Sequence, residues 1–337
     1  MPAYLRSIKK MFIHIGSTLP VFTEKKACMQ TSKLIKLGQR LFDLPYILLP
    51  LAPLFWSGNF ILGRAVRTAL PPVGLAFWRW LVASLVMSIT AWPHVKHDWP
   101  AIQQNWKIIG LLSILGVATF NVLAYTGLRF TTAMNGVLMQ SAMPVMIIVM
   151  SYFFFRETIT LLQAAGILLS LSGVVTIITQ GNLRALTSLS LNPGDLVILV
   201  AITCYAVYSV LLRRRPPVNP LSLLLTMFVI GTGLLFPFYV WEHLFLQVMP
   251  FNRVTLLAVG YVAIFPSILA YLCFNRGVEL LGANRAGLFL HLMPVFGSLM
   301  AMLFLGEQFR SFHAAGICLI LSGIVLATKK QKIKSAK

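Results

Sequence analysis

Apolar residues in this chain run on for some twenty positions at a time, with neither the alternation of a half-buried strand nor the recurring polar face of a soluble amphipathic helix. A helix rising 1.5 Å per residue needs about 20 such residues to cross a hydrocarbon core of about 30 Å. Bounded by charges, prolines and turn residues, ten runs meet that requirement: roughly 46–66, 74–92, 108–128, 133–155, 159–179, 194–212, 220–241, 254–275, 283–305 and 311–328. The stretches around Arg156-Glu157 and Gly306-Glu307 are too long for one span, so each is read as a tight helical hairpin. The expected fold is an all-α integral membrane protein with ten transmembrane helices.

Composition agrees with the pattern. Of 337 residues 58% are hydrophobic and 11% charged, against about 25% charge in an ordinary soluble domain, which argues against a soluble enzyme. The net charge of +20 first suggests a nucleic-acid partner, but its placement gives a simpler account. Ten spans put both termini on one side. With the termini in the cytoplasm, 21 basic residues lie inside and six outside, the bias expected of a multi-pass protein of the cell inner (plasma) membrane. The remaining one, Arg79, falls within the second span near its end, where snorkelling to the headgroups is expected and the alternative is to face the cavity and hold a carboxylate bidentately. Residues 1–45 read as a basic cytoplasmic segment and 329–337 as a basic tail. Between Met11 and Phe22 the apolar stretch is interrupted by His14, Ser17 and Pro20, so no cleavable signal is expected, and Met29 offers a second start. Cys28, Cys204, Cys273 and Cys318 lack metal-ligand spacing and read as packing residues.

Sliding the chain over itself reveals a gapless match at an offset of 150 residues. Residues 127–175 and 277–325 share 18 of 49 positions, among them Pro144/Pro294, Glu157/Glu307, Gly166/Gly316 and Gly173/Gly323. The fourth span maps onto the ninth and the fifth onto the tenth, so each repeat holds five helices: 46–180 and 194–328. Five is odd, and the second copy must enter the membrane from the opposite face. Such inverted repeats, related by a pseudo-two-fold axis in the membrane plane, are the architecture of many secondary transporters.

The stretch Pro144 to Gly173, with Glu157, Ala164-Ala165-Gly166 and Ser172-Gly173, resembles the EamA domain of the drug/metabolite transporter superfamily, and residues 294–323 resemble it again. Trp56-Ser57-Gly58-Asn59-Phe60, Pro71-Pro72, Phe77-Trp78-Arg79 and Gly194-Asp195 extend the likeness over nearly all of 46–328. The resemblance implies a ten-helix carrier, often an exporter of amino acids or other small metabolites, with a cavity between two five-helix halves.

Polar groups at membrane depth are costly and mark the places to search. Asn59, Asn121 and Gln140 either hold a substrate or tie helices together. Trp56, Tyr125, Tyr205, Tyr208 and Tyr271 lie on helices that the resemblance assigns to the cavity wall. Trp78 and Trp80 read as interfacial anchors. His291 has two readings of equal weight: a proton-coupling group, or a neutral imidazole donating to a carbonyl near Pro294. Pro144 and Pro294 are candidate hinges, Glu157 and Glu307 either gates or favourable charges at helix ends, Glu279 a loop residue, and the four repeat glycines close-packing positions for scaffold or dimer contacts.

These readings combine into a secondary transporter of small organic metabolites, an exporter by resemblance, in which a proton coupled through His291 is one option. The partners expected are a small-molecule substrate and the lipid bilayer, with no nucleic acid. A monomer suffices, and a homodimer remains open. The sequence holds no HExxH, GxSxG or Walker A motif, so neither an enzyme, a metal site, a cofactor nor ATP-driven pumping is expected. The alternative is a non-transporting membrane sensor or assembly partner.

Overall fold

The computed structural model describes residues 43–131, 136, 139–182, 192–305 and 308–328. Most of the basic N-terminal segment, Glu307, Cys28 and the C-terminal tail lie outside them. Among the described residues eight helices are long and apolar enough to cross a membrane. In chain order the helices are α1 (Pro45–Ala65), α2 (Pro72–Gln104), α3 (Trp106–Phe130), α4 (Met143–Phe155), α5 (Leu161–Ile178), α6 (Pro193–Leu211), α7 (Pro220–Phe245), α8 (Arg253–Leu281), α9 (Ala283–Leu288), α10 (Met293–Leu305) and α11 (Ser311–Thr328).

Local chemistry sets the helix ends. Pro72, Pro193 and Pro220 open α2, α6 and α7, where a missing N–H costs nothing. Asn192 with Asp195, and Thr160 with Gln163, form reciprocal caps at the starts of α6 and α5. Gly282, at a φ of 82°, reverses the chain between α8 and α9. The outer surface is apolar, with Leu161, Ile89, Leu303 and Leu257 at 75–90% exposure, while Trp92, Trp99, Trp106 and Trp241 lie exposed. That is the surface of a protein solvated by lipid and ringed by interfacial aromatics.

Four expectations need correction. The fourth and ninth runs are not single straight helices: the chain turns at Ser141-Ala142 before α4, and a 3₁₀ turn, Phe289–Leu292, separates α9 from α10. Pro144 and Pro294 are each the second residue of a restarted helix, the place where proline fits without stealing a hydrogen bond. The second run forms a 33-residue helix that carries Lys96 and Asp98 beyond the apolar stretch. Glu279 lies in the last turns of α8, not in a loop. Trp80 is fully buried against Phe228 and Tyr271 and anchors no interface.

The repeat is visible in packing. Helix α5 lies on α11, α2 on α7, α1 on α8 and α10, and α6 on α3 and α4. A Cβ placed on Gly166 would stand 2.6 Å from the Gly323 carbonyl oxygen, and one on Gly173 2.6 Å from that of Gly316. Two glycines advancing on α5 thus meet two receding on α11, so this pair packs antiparallel with backbones nearly touching. Likewise Gly127 abuts Ile198, while Gly277 abuts Leu49, which sets Leu49 and Ile198 in corresponding places on α1 and α6. Both third helices also underwind at the same level: π turns occupy Ile114–Thr119 in α3 and Ile264–Leu269 in α8, an offset of 150 residues.

Candidate functional site

A cavity closes where the breaks before α4 and α10 meet α1 and α6. Trp56, Asn59 and Phe60 of α1, Phe120 of α3, Gln140 and Met143 at the break, Tyr205 of α6, and Leu290 and Met293 line it. Its free volume is about 10 Å³, scarcely enough for one water, so the site is shut. Three corresponding pairs face it: Gln140 with Leu290 and Met143 with Met293 at the 150-residue offset, and Trp56 with Tyr205 in the register that pairs Leu49 with Ile198. The cavity therefore straddles the boundary between halves. Gln140 Oε1 and the Tyr205 hydroxyl are buried without a hydrogen-bond partner. Such groups cost free energy while unpaired and are ready to bind a polar solute.

The walls are aromatic. The Trp56 ring centroid lies 5.6 Å from Tyr205, 6.0 Å from Tyr271 and 5.3 Å from Phe274, and all three contacts are edge-on. Its indole N–H donates to the Pro266 carbonyl oxygen at 2.9 Å. That acceptor is free because the α8 π turn sends the Ala270 N–H to Phe265 and Ser267 instead. In the other half the Tyr271 hydroxyl donates to the Gly116 carbonyl, the repeat mate of Pro266.

Behind Asn59 sits Arg79, 1% exposed. Its Nε donates to Ser267 Oγ at 2.5 Å, Nη1 to Asn59 Oδ1, Asn121 Oδ1 and the Tyr125 hydroxyl at 3.1, 2.8 and 2.9 Å, and Nη2 to the Pro266 carbonyl at 3.0 Å. The guanidinium also lies 4.8 Å from the Trp80 ring centroid. It does not snorkel. Near the middle of both α3 and α8, its partners hold it at depth.

Tyr125 donates to Asn59 at 2.6 Å in the first half, and Tyr208 to Asn275 at 2.8 Å in the second. Each bond ties the first helix of a half to its third, but Tyr and Asn have exchanged places. His291 lies apart from the cavity, fully buried, with Nδ1 2.6 Å from Ser170 Oγ and Nε2 3.1 Å from the Ser141 carbonyl oxygen. The carbonyl is Ser141's in the break before Pro144, not one near Pro294.

Both ends are fastened across the halves. At the end rich in arginine, Glu157 pairs across the halves with Arg213 at 2.5 Å and accepts from Asn284, while within the second half Glu279 pairs with Arg215 and Arg276 at 2.6 and 2.8 Å. Glu157, Arg213, Arg215 and Glu279 border a cleft of about 500 Å³. On the long helices, Asp98 of α2 accepts the Asn219 N–H at the start of α7, and Glu242 of α7 accepts the Val73 and Gly74 N–H groups at the start of α2. Each carboxylate thus caps the other half's helix, favoured by the helix dipole. Arg129 donates to Gln247 at 2.6 Å at the same end as Glu242.

Of the residues singled out in the sequence, Trp56, Asn59, Gln140 and Tyr205 line the cavity. Tyr271 backs Trp56, Asn121 and Tyr125 hold Arg79, and Tyr208 and His291 serve elsewhere. For Arg79 the sequence reading favoured snorkelling over a place facing the cavity; the structure buries it behind Asn59 instead. Among the described residues, no cluster of three or more His, Cys, Asp or Glu is placed to hold a metal ion.

A solved crystal structure shares the fold, with a TM-score of 0.66 and 20% identity over 84% of this chain and 96% of that one. The uncharacterized transporter YyaM of Bacillus subtilis is 29% identical over 286 residues, 84% of this chain and 93% of the relative. An uncharacterized transporter of Archaeoglobus fulgidus is 28% identical over 288 residues, 85% and 98% of the respective chains. The model of the EamA-like transporter family matches twice, at residues 44–179 and 192–329. The chain is a multi-pass membrane protein and belongs to the EamA-like transporter family of the drug/metabolite transporter superfamily.

Proposed function

We propose that the protein is a secondary transporter of small organic metabolites, working by alternating access between two inverted five-helix halves. The observation that carries this is the shut cavity on the boundary between the halves, walled by aromatic rings and holding two unpartnered polar groups. In this reading α4 with the turn before it, and α9 with α10, complete the count of ten spans. The antiparallel meeting of Gly166 with Gly323 and Gly173 with Gly316 supports a two-fold axis perpendicular to the helices. The excess of arginine and lysine supports cytoplasmic termini in the plasma membrane.

The state described is occluded. Opening toward the cytoplasm breaks the Glu157–Arg213 pair, and opening outward releases Arg129 from Gln247 and Glu242 from α2. With both ring nitrogens engaged inside the protein, His291 is read as a joint between halves rather than a proton relay. The test is flux in liposomes of a pooled, labelled amino-acid and metabolite panel under imposed solute and pH gradients. Gradient-driven flux in either direction, lost in Trp56→Ala, supports the reading. A protein that neither binds nor moves any member would be a sensor or assembly partner instead.

A further inference from the structure

We infer that the transported solute carries an oxyanion, a carboxylate or a phosphate, and that Arg79 supplies the positive field that draws it into the cavity. The inference rests on the transporter reading and adds the charge class of the substrate. Hydrogen bonding and charge are separate requirements of a buried guanidinium. Arg79 meets the first with Asn59, Asn121, Tyr125, Ser267 and the Pro266 carbonyl, all neutral. It does not meet the second: among the described residues no carboxylate pairs with it. Nor does the sequence offer one at that depth: Asp98, Glu242 and Glu279 fall near helix ends, Asp195 in the first turn of α6 and Glu157 in a link, Glu307 is the repeat mate of Glu157 in the sequence, and Glu24 and Asp43 precede α1. A net charge buried among neutral dipoles is costly, and such charges in membrane proteins mark ligand paths.

The charge is also in the right place. Asn59 both accepts from Arg79 and lines the cavity, and the Pro266 carbonyl that accepts from Arg79 also accepts from the cavity residue Trp56. Arg79 thus stands one hydrogen bond behind the wall. The unpartnered Tyr205 hydroxyl is a donor in the cavity, and the Nδ2 of Asn121, whose Oδ1 holds Arg79, is a second unpartnered donor in the same network. Two spare donors beside an uncompensated cation make an arrangement for an oxygen anion. The second half lacks a counterpart, because α7 carries no charged residue from Pro220 to Trp241. The field therefore enters the cavity from one side, and the solute binds with a fixed polarity.

The experiment uses the full-length protein in nanodiscs for binding and in liposomes for flux. The probes are matched labelled sets: carboxylates and amino acids against their amides, phosphate monoesters against the parent alcohols, and primary amines of equal size. The expected result is binding and flux confined to carboxylates or to phosphate monoesters, the arm that responds naming the source, with neutral partners weaker by about tenfold or more. Arg79→Gln should erase that preference, whereas Arg79→Lys, which keeps the charge without the fork, should retain it. Transport of amides, alcohols or amines as readily as their anions overturns the charge inference and leaves the carrier standing. Wild-type preference in a well-folded Arg79→Gln protein overturns it as well. Silence across all sets overturns both. Should Arg79→Gln not purify as a monodisperse species, the wild-type comparison of anion with amide decides.

Discussion

The imidazole Nε2 of His291 lies 3.1 Å from the carbonyl oxygen of Ser141, the residue that the 150-residue repeat places opposite it. Under the proposed two-fold arrangement, a residue that touches its own repeat mate sits on the axis. This contact would then mark the centre of that arrangement, beside the Gly166–Gly323 and Gly173–Gly316 crossings. With Nε2–H donating to Ser141, Nδ1 is left to accept from the Ser170 hydroxyl, and a neutral ring satisfies both neighbours.

His291→Ala should accordingly weaken the fold by about 2–4 kcal/mol, through two lost hydrogen bonds and a void, while His291→Gln recovers part of that. Thermal unfolding of the purified variants measures the effect. The pH profile of flux should be the same in His291→Gln as in wild type; a profile that shifts with the substitution would restore the proton-relay reading.

The glycine crossing leaves no room for a side chain. Gly173→Val should destabilise by about 3 kcal/mol or more or abolish folded yield, because the backbone of α11 stands where the new carbons must go. Gly233→Ala, with nothing within 4 Å of its added carbon, should be neutral to within about 1 kcal/mol and serves as the control in the same melting experiment.

At the arginine-rich end, Glu157 and Arg213 are 36% and 41% exposed, so their ion pair adds little stability. Its removal should act on access instead. Arg213→Gln should leave the melting temperature nearly unchanged and speed thiol labelling of a cysteine introduced at Val278 in the cleft. Unchanged labelling would mean that the pair does not hold this end shut.

Tyr205 separates stability from binding. Its hydroxyl has no partner, so Tyr205→Phe should be neutral or slightly stabilising. Solute affinity should fall about tenfold if the hydroxyl grips the solute, a loss read by binding in nanodiscs.

Much of this was legible in the chain because the bilayer imposes a simple rule: apolar runs of fixed length, with charges at their ends. The repeat showed in sequence because Gly166, Gly173, Gly316 and Gly323 are held to one residue type by backbone contact. What hydropathy could not show was the interruption of the fourth and ninth spans, since the residues around Ser141 and His291 are as apolar on average as a continuous helix. The signal was present in Pro144 and Pro294, which suit a helix start better than a helix middle. Arg79 was misread for a related reason. Counting residues from Pro72 puts it near a membrane surface, whereas its depth is set by the neighbours Asn121 and Ser267, which belong to other helices.

The two π turns carry a consequence of their own. Each third helix contains, at the same level, one residue more than regular winding would accommodate. Were the surplus absorbed into regular winding, the segment beyond would turn by about 100°, one residue's share of a helical revolution. In α8 that rotation would withdraw the Pro266 carbonyl from Trp56 and Arg79 together; in α3 it would withdraw the Gly116 carbonyl from Tyr271. The molecule thus holds a matched pair of unspent quarter-turns, one in each half, and each is latched by a side chain of the other half.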